Sequence, residues 1–562
     1  MPNTNIQSKL AQVIGLGAFV TTIMVAAWWT IEPVNAPKMV VLLATAGAIL
    51  GILISTKQIF KVFHLNLLIP LGIFVISAAF SLVTSTDPWE MNFYGVSGRN
   101  TGLLTYLGLI TIFLGSGLLS NLSSINVVLK YFACAGLFNV AYCLLSILGL
   151  ELLPWNNIYN TILGTFGNPN FIGAFLGIFG VVTFAYGLSP SHDLKKKTAA
   201  IVVFILILFE IDKSNAVQGL VIVGFGVSFV MWFKIRSITS NKIIEGAYLI
   251  AISFSGFASI LGALQIGPLT RFIYKTSVSL RGEYWQAGWN MGLQNPFTGV
   301  GMDSYGSWFR RARDVQALKM PGAEVTTNAA HNVFLDLFAY GGFPLIISYL
   351  VILIFSARSA IRILFKSRRF DFVAVAIVAA WICYLAQALI SINQIGIAIW
   401  GWIFGGLIIA YDRIDFSPES SQKQSGESKP QGKKSGFRST SDAAISLSTT
   451  IGLVLGVLIS IPPVIADAKW KSALASGDGK QLEAAALAWP EDPLRMNQAI
   501  KIFVDNNWKV ASTRISELSI TKFSESYISW YSYLQLPTIS DSERERAKSE
   551  LHRLDPNNPA WR

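Results

Sequence analysis

Few residues in this chain can do chemistry, and one has a suggestive setting. His331, one of four histidines, ends a long polar stretch and opens the apolar run "NAAHNVFLDLFAYGG" (328–342). An imidazole is the side chain that gains or loses its proton nearest neutrality; the plainer reading is a helix-end histidine that meets water. Earlier in the same polar stretch Arg281 precedes Tyr284 and Trp285. A guanidinium forks onto phosphate oxygens as an ammonium does not. Arg310, Arg311 and Arg313 form a second basic group, and Arg99 lies in another polar segment, "TDPWEMNFYGVSGRNTG" (86–102). Cys134, Cys143 and Cys383 all fall inside apolar runs, which argues against a disulfide framework or a thiolate metal site. Four scattered histidines make no cluster, so any metal chemistry would have to rest on carboxylates; no cofactor is expected. Gly299-Val300-Gly301 lacks the strand-then-helix setting of a nucleotide loop.

The elements that position these residues are membrane spans. The chain has 562 residues, 52% hydrophobic and 14% charged, where a soluble domain carries about 25% charged residues. Windows long enough to cross hydrocarbon, about 20 residues, occur near 9–29, 38–56, 63–85, 101–119, 125–149, 169–188, 198–212, 216–234 and 243–265. Others lie near 332–356, 371–390, 393–411 and 443–466. The fold class is therefore an all-α polytopic membrane protein of about thirteen transmembrane helices. The net charge of +12 does not point to nucleic acid, because the lysines and arginines gather in short loops between spans. Lys57, Lys61, Lys195, Lys196, Lys197, Lys234, Arg236, Lys242, Arg358, Arg362, Lys366, Arg368 and Arg369 all fall on one side, which the positive-inside rule makes cytoplasmic.

The predicted organisation is a membrane domain (1–411), a flexible cytoplasmic linker (412–442), a last span (443–466) and an external helical segment (467–562). In that segment "AAALAWPEDPLRMNQAI" and "AKSELHRLDPNNPAW" resemble tetratricopeptide helix pairs, which would suit a protein partner. The longest outer loop, 266–331, is of a length usually functional. Within it, Leu280, Tyr284, Ala287 and Met291 recur at helical spacing, predicting a helix over 277–294 that lies across the membrane surface and stops at Asn295-Pro296. Asp336, five residues beyond His331, falls off its helical face and is not assigned as its orienting carboxylate. Asn139, Gln387, Asn393 and Gln394 read as interhelical partners, and Asn168 as a helix cap.

The order Arg281…Tyr284-Trp285…Asn295-Pro296…Gly299-Val300-Gly301, then His331-Asn332 opening a span with Gly341-Gly342, resembles the O-antigen ligase and O-antigen polymerase superfamily. Bacterial O-linked protein oligosaccharyltransferases belong to the same group. "GRNTGLLTYL" (98–107) and "GTFGNPNFIGAFL" (164–176) add to the likeness, which covers about 90–411. The resemblance implies a metal-independent, inverting glycosyltransferase of the cytoplasmic membrane. Its donor would be a glycan on a polyprenyl diphosphate at the outer face. His331 would be the base and Arg281 a diphosphate ligand, with Arg99, Tyr284, Trp285, Arg310, Arg311 and Asn332 toward the substrates. Where the family carries a second arginine, "EIDKSNAVQGL" (210–220) has Asn215, and Lys213 would supply the charge.

The acceptor hydroxyl stays open among a lipid-core sugar (ligase), a glycan end (polymerase) and a protein (oligosaccharyltransferase). A transporter or flippase also suits thirteen spans, yet such folds show paired half-repeats and ionisable residues at the midplane, neither of which is evident. A scaffold built on the external helices is the third reading.

Overall fold

The computed structural model describes residues 4–57, 65–154, 156–263, 266–268, 270–273, 280–415 and 441–561. Most of the expected linker and the start of the helix expected over 277–294 lie outside them. All regular structure among the described residues is helical. The membrane part begins with α1 (Thr4–Ile23), α2 (Asn35–Thr56), α3 (Leu65–Thr84), the short α4 (Trp89–Tyr94), α5 (Leu103–Gly117) and α6 (Leu122–Ile147). It continues with α7 (Pro169–Gly187), α8 (Leu194–Lys213), α9 (Val217–Ile238) and α10 (Lys242–Ala263). Two helices, α11 (Arg281–Gln294) and α12 (Tyr305–Ala312), occupy the long polar stretch before α13 (Val333–Lys366), α14 (Phe372–Ala388) and α15 (Ile395–Asp415). After the linker come α16 (Asp442–Ser460), α17 (Pro462–Ser476), α18 (Gly479–Ala486), α19 (Pro493–Asp505), α20 (Lys509–Lys522), α21 (Tyr527–Leu534) and α22 (Asp541–Leu554).

Each of the thirteen apolar windows falls on a helix. Among the described residues nine of these helices are long and apolar enough to cross a membrane, while α5 and α14 are apolar but shorter. The other two, α8 and α10, carry charges near their ends: Lys195 to Lys197, Glu210, Asp212 and Lys213 on α8, Lys242 and Glu245 on α10. Local chemistry sets the boundaries. Asn121, Asn168, Asp193, Asp371 and Ser441 each accept a hydrogen bond from a first-turn amide, which satisfies donors a helix start leaves open. Pro462 follows the last span and begins a new helix.

Close helix approach relies on small residues. The sequences Gly47-xxx-Gly51 on α2 and Gly452-xxx-Gly456 on α16 face one another, so that a Cβ on any of these glycines would overlap the backbone opposite. Such small-xxx-small pairs let two backbones touch within a membrane, where dispersion rather than the hydrophobic effect holds helices together. The last span is thereby packed on the second. At one end of the bundle basic residues tie helix ends together: the Arg236 guanidinium donates to the Leu364 carbonyl (2.9 Å), Arg368 pairs with Glu245 (2.5 Å) and Lys9 with Asp442 (3.3 Å).

At the opposite end the C-terminal helices sit on the membrane domain's loops. Their core, built around Trp470, Phe503 and Trp530, also takes in Met91 of α4. Asp467 accepts from the Ile31 and Glu32 amides (2.8 and 2.9 Å), Lys471 donates to the Ala27 carbonyl (2.6 Å), and Lys522 pairs with Glu90 (2.9 Å). The segment expected to reach for a partner is seated on its own chain.

The long helix α13 is interrupted at Gly341 and Gly342, the latter at φ +63. The glycines of 299–301 fill this break. Val300 N–H donates to the Ala339 carbonyl (2.8 Å), Gly301 N–H to that of Tyr340 (3.2 Å) and Phe343 N–H to that of Pro296 (2.7 Å). Gly299 has φ +64, and a Cβ there would overlap the Tyr340 carbonyl group. Gly299→Ala should therefore cost about 2–4 kcal/mol from left-handed strain plus overpacking. Gly256→Ala, with open space around its Cβ, is the control that leaves thermal unfolding in detergent unchanged.

Candidate active site

The site forms where α11, α13 and the 95–102 loop meet. The sequence predicted a helix lying across the membrane surface; its described part, α11, runs beside the first turns of α13. Gly288 lies against Ala330 and Leu335, Gly292 against the Phe338 ring, and Trp289 contacts that ring at 5.2 Å between centroids. Glycines four apart give α11 a flat face, which admits this contact. Its first residue, Arg281, is thus brought to the level of His331.

A buried polar hub fixes the floor. Arg99, 4% exposed, pairs with Asp303 (3.4 Å) and Asp336 (3.8 Å), and donates to the Tyr340 hydroxyl (3.1 Å) and the Asn328 carbonyl. Asp303 in turn accepts from the Val96 amide (2.9 Å), the Thr101 hydroxyl (3.0 Å) and the Tyr340 hydroxyl (3.0 Å). Burial works against the Arg99 charge, but Tyr340, Asp303 and Asp336 outweigh it and hold the guanidinium's pKa above its ordinary value. A charge this deep is tolerable only with such partners. The Arg99 guanidinium is thereby held within the hub.

The hub sets the histidine. Asp336 accepts from the Ala330 amide (2.7 Å), holding the peptide just before His331, and Asn332 caps α13 by accepting from the Phe334 and Leu335 amides (3.0 and 3.2 Å). Between these anchors His331 adopts φ +55, a left-handed conformation that costs a non-glycine residue of order 1 kcal/mol and is concentrated at functional sites. Its ring lies 5.8 Å from that of Tyr284, centroid to centroid. The Tyr284 carbonyl accepts from the Tyr305 hydroxyl (2.5 Å), joining α11 to α12. Trp285 is partly exposed on α11.

Burial, then the nearby charges of Arg281 and Arg99, depress the His331 pKa to about 4. The imidazole is therefore neutral at physiological pH and free to accept a proton. Burial lowers the pKa of Arg281 as well, and among the described residues no carboxylate pairs with it. A half-buried guanidinium without a counter-ion beside a neutral imidazole is arranged to receive an anion. Carbethoxylation, which consumes neutral imidazole, should continue at His331 well below the pH at which a free histidine peptide stops reacting, with a midpoint near 4. In Arg281→Gln the midpoint should rise, because a cation that disfavours imidazolium is gone. A midpoint near 6.5 in both proteins would contradict this electrostatic account.

Other expected ligands lie elsewhere. Arg310 and Arg313 both pair with the fully buried Asp555 (3.0 and 2.7 Å), and Arg311 pairs with Glu525 (2.5 Å). Arg310 also stacks on Tyr527, 3.9 Å from the ring centroid. These pairs dock the C-terminal helices, and the opposite charges there already neutralise all three arginines. Lys213 is exposed at the end of α8, over the Phe209 ring at 5.4 Å, and Asn215 just beyond has φ +56. Sequence reasoning missed Asp303, Tyr340 and Asn328. One signal was available: Asp336 and Tyr340 are four apart on α13, so they share a face.

Compared with known proteins, residues 199–350 match the family described as O-antigen ligase. No curated protein matches the chain. The matched stretch contains α11, α12, His331 and the glycine break of α13. The match supports, for that stretch of this multi-pass helical protein, the likeness to the O-antigen ligase and polymerase superfamily.

Proposed function

We propose that the protein is a membrane glycosyltransferase. It moves a glycan from a polyprenyl diphosphate to an acceptor hydroxyl at the outer face of the cytoplasmic membrane, as a ligase or polymerase of cell-surface polysaccharide. The reaction is inverting and metal-independent. The observation that carries the reading is the neutral His331, held in a strained conformation near Arg281, which no carboxylate pairs with among the described residues.

The hydroxyl oxygen attacks the anomeric carbon from the side opposite the leaving group. As that bond forms, the hydroxyl proton passes to the His331 imidazole, and the bond from the anomeric carbon to the diphosphate oxygen breaks. General-base help of this kind is worth about 10²–10⁴-fold. Charge builds on the departing diphosphate, and a guanidinium fixed at a low-dielectric boundary stabilises it without reorganisation. A bound diphosphate also counters the Arg281 charge that depresses the imidazole. His331 thus becomes a better base once the donor is in place.

The deciding experiment incubates the purified full-length protein with a polyprenyl-diphosphate glycan and each acceptor class in turn. Mass spectrometry should find a new glycosidic bond of inverted configuration to one of them. Movement of the intact donor across a vesicle membrane with no new bond would replace this reading with transport.

A further inference from the structure

One edge of α11 leads away from His331 along the bundle. Arg281, Trp285, Trp289 and Leu293 are spaced four apart, and Phe297 continues the series just past the helix end. Residues so spaced share a face, and the four apolar ones are all exposed. The helices α11 and α13 run in parallel, Gly288 lying against Leu335 and Gly292 against Phe338. The series therefore descends from Arg281, level with His331, to Phe297 beside the glycine break. The Phe338 ring links it to Phe343, touching Trp289 at 5.2 Å and Phe343 at 4.9 Å between centroids.

At Phe297 this ridge opens into a groove of about 590 Å³ between α3 and α13. Phe297 and Phe343 stand at its upper end, Ile73 and Ile347 along its sides, Asn66 and Phe355 at its lower end. Both helices carry an interior proline there, Pro70 and Pro344, a residue that bends a helix. Polar atoms are scarce: the Ser348 hydroxyl donates to the Leu345 carbonyl of its own helix (2.8 Å), and Asn66 lies at the far end. Length decides what fits. The stretch of α13 from the level of His331 to Phe355 covers about 35 Å at about 1.5 Å per residue. The hydrocarbon core is about 30 Å thick, so the chains of one leaflet cover about 15 Å. A phospholipid with its phosphate at Arg281 would leave most of the groove empty. A cation at the top and carbon the rest of the way select an anion with one long tail.

We propose that the ridge and groove bind the apolar tail of the polyprenyl diphosphate donor, laid from Arg281 over Trp285, Trp289 and Phe297 into the cleft between α3 and α13. The identity of the head rests on the transferase reading; the path of the tail is added to it. A tail already in the membrane gains no hydrophobic energy by entering the groove, so dispersion contact with the rings and aliphatic walls holds it. The site thereby selects a tail longer than one leaflet, which keeps phospholipids, with phosphates of their own, from occupying the catalytic end.

Photolabelling of the full-length protein in lipid nanodiscs tests the path. The probe is a polyprenyl diphosphate carrying a diazirine at the end of its tail. Label should appear in peptides covering 69–73 of α3 and 347–355 of α13. Unlabelled polyprenyl diphosphate should displace it, and a large excess of phosphatidylglycerol should not. Ile347→Trp, which fills the groove from an exposed position, should cut the labelling about three- to tenfold, the size of one or two lost ring contacts. Ile354→Trp, exposed on the same helix outside the groove, should leave it unchanged. Label spread evenly around the bundle, equal displacement by phosphatidylglycerol, or full labelling of Ile347→Trp would overturn the tail site. Because labelling needs no transfer, those outcomes leave the transferase reading standing. Groove labelling with no new glycosidic bond in the transfer assay would do the reverse.

Discussion

His331→Ala and His331→Asn proteins should insert, dock their C-terminal helices and melt within a few degrees of the parent, yet transfer glycan about 10²–10⁴-fold more slowly. The pair is needed because His331 sits at φ +55. Asparagine tolerates left-handed backbone far better than most residues, so it keeps the loop geometry while lacking a base. If the loss came from backbone strain, asparagine would recover activity; if it came from the missing imidazole, both variants stay slow. Measured against acceptor concentration, the loss should fall on kcat rather than KM, because the proton moves only as the bond forms. Added imidazole should restore part of the rate in the alanine variant. Wild-type transfer by either protein refutes the assignment of the base.

Asp555→Ala should be the most disruptive single change outside the membrane. Asp555 is fully buried and is shared by Arg310 and Arg313, with side-chain exposures of 0%, 8% and 0% respectively. Removing it leaves two guanidinium groups inside the protein without an anion, and breaking a buried pair by deleting one partner costs about 3–5 kcal/mol. The expected result is loosening of α22 from the 305–325 loop, seen as new protease cleavage in both segments and a lower melting temperature. Transfer should fall as well, since α12 is tied to α11 through Tyr305 and Tyr284. A chain carrying Asp555→Leu, Arg313→Met and Arg310→Leu together should recover much of the stability, because replacing a buried charge cluster by apolar groups is often neutral. Should Asp555→Ala melt like the parent, the docking role of these arginines fails.

The spans were legible because each is a local property: some twenty apolar residues in a row need no knowledge of their neighbours. His331 and Arg281 were singled out for what an imidazole and a guanidinium can do, and α11 places them in reach of one another. What the sequence did not disclose are pairings between distant segments. Arg99 reads as a loose loop arginine until Asp303, Asp336 and Tyr340 are found around it. Arg310 and Arg311 read as a solvated or ligand-binding charge run until Asp555 and Glu525 close on them. Gly299 to Gly301 carry little meaning alone; they are glycines because the interrupted backbone of α13 passes too close for any side chain. Besides the spacing of Asp336 and Tyr340, the pair Gly47-xxx-Gly51 and Gly452-xxx-Gly456 was open to earlier notice, since that spacing on two apolar segments is itself a packing signal.

The buried pair of Arg313 and Asp555 joins residues 242 positions apart, and between them lie four spans, α13 to α16, and the linker. During translation the loop that carries His331 is therefore made first, its arginines uncompensated, while α13, α14, α15 and α16 follow. Only when the residues around Asp555 emerge on the same side can the loop be locked. A chain cut short before Asp555 would therefore carry the 305–325 loop with Arg310 and Arg313 unmatched by their anion.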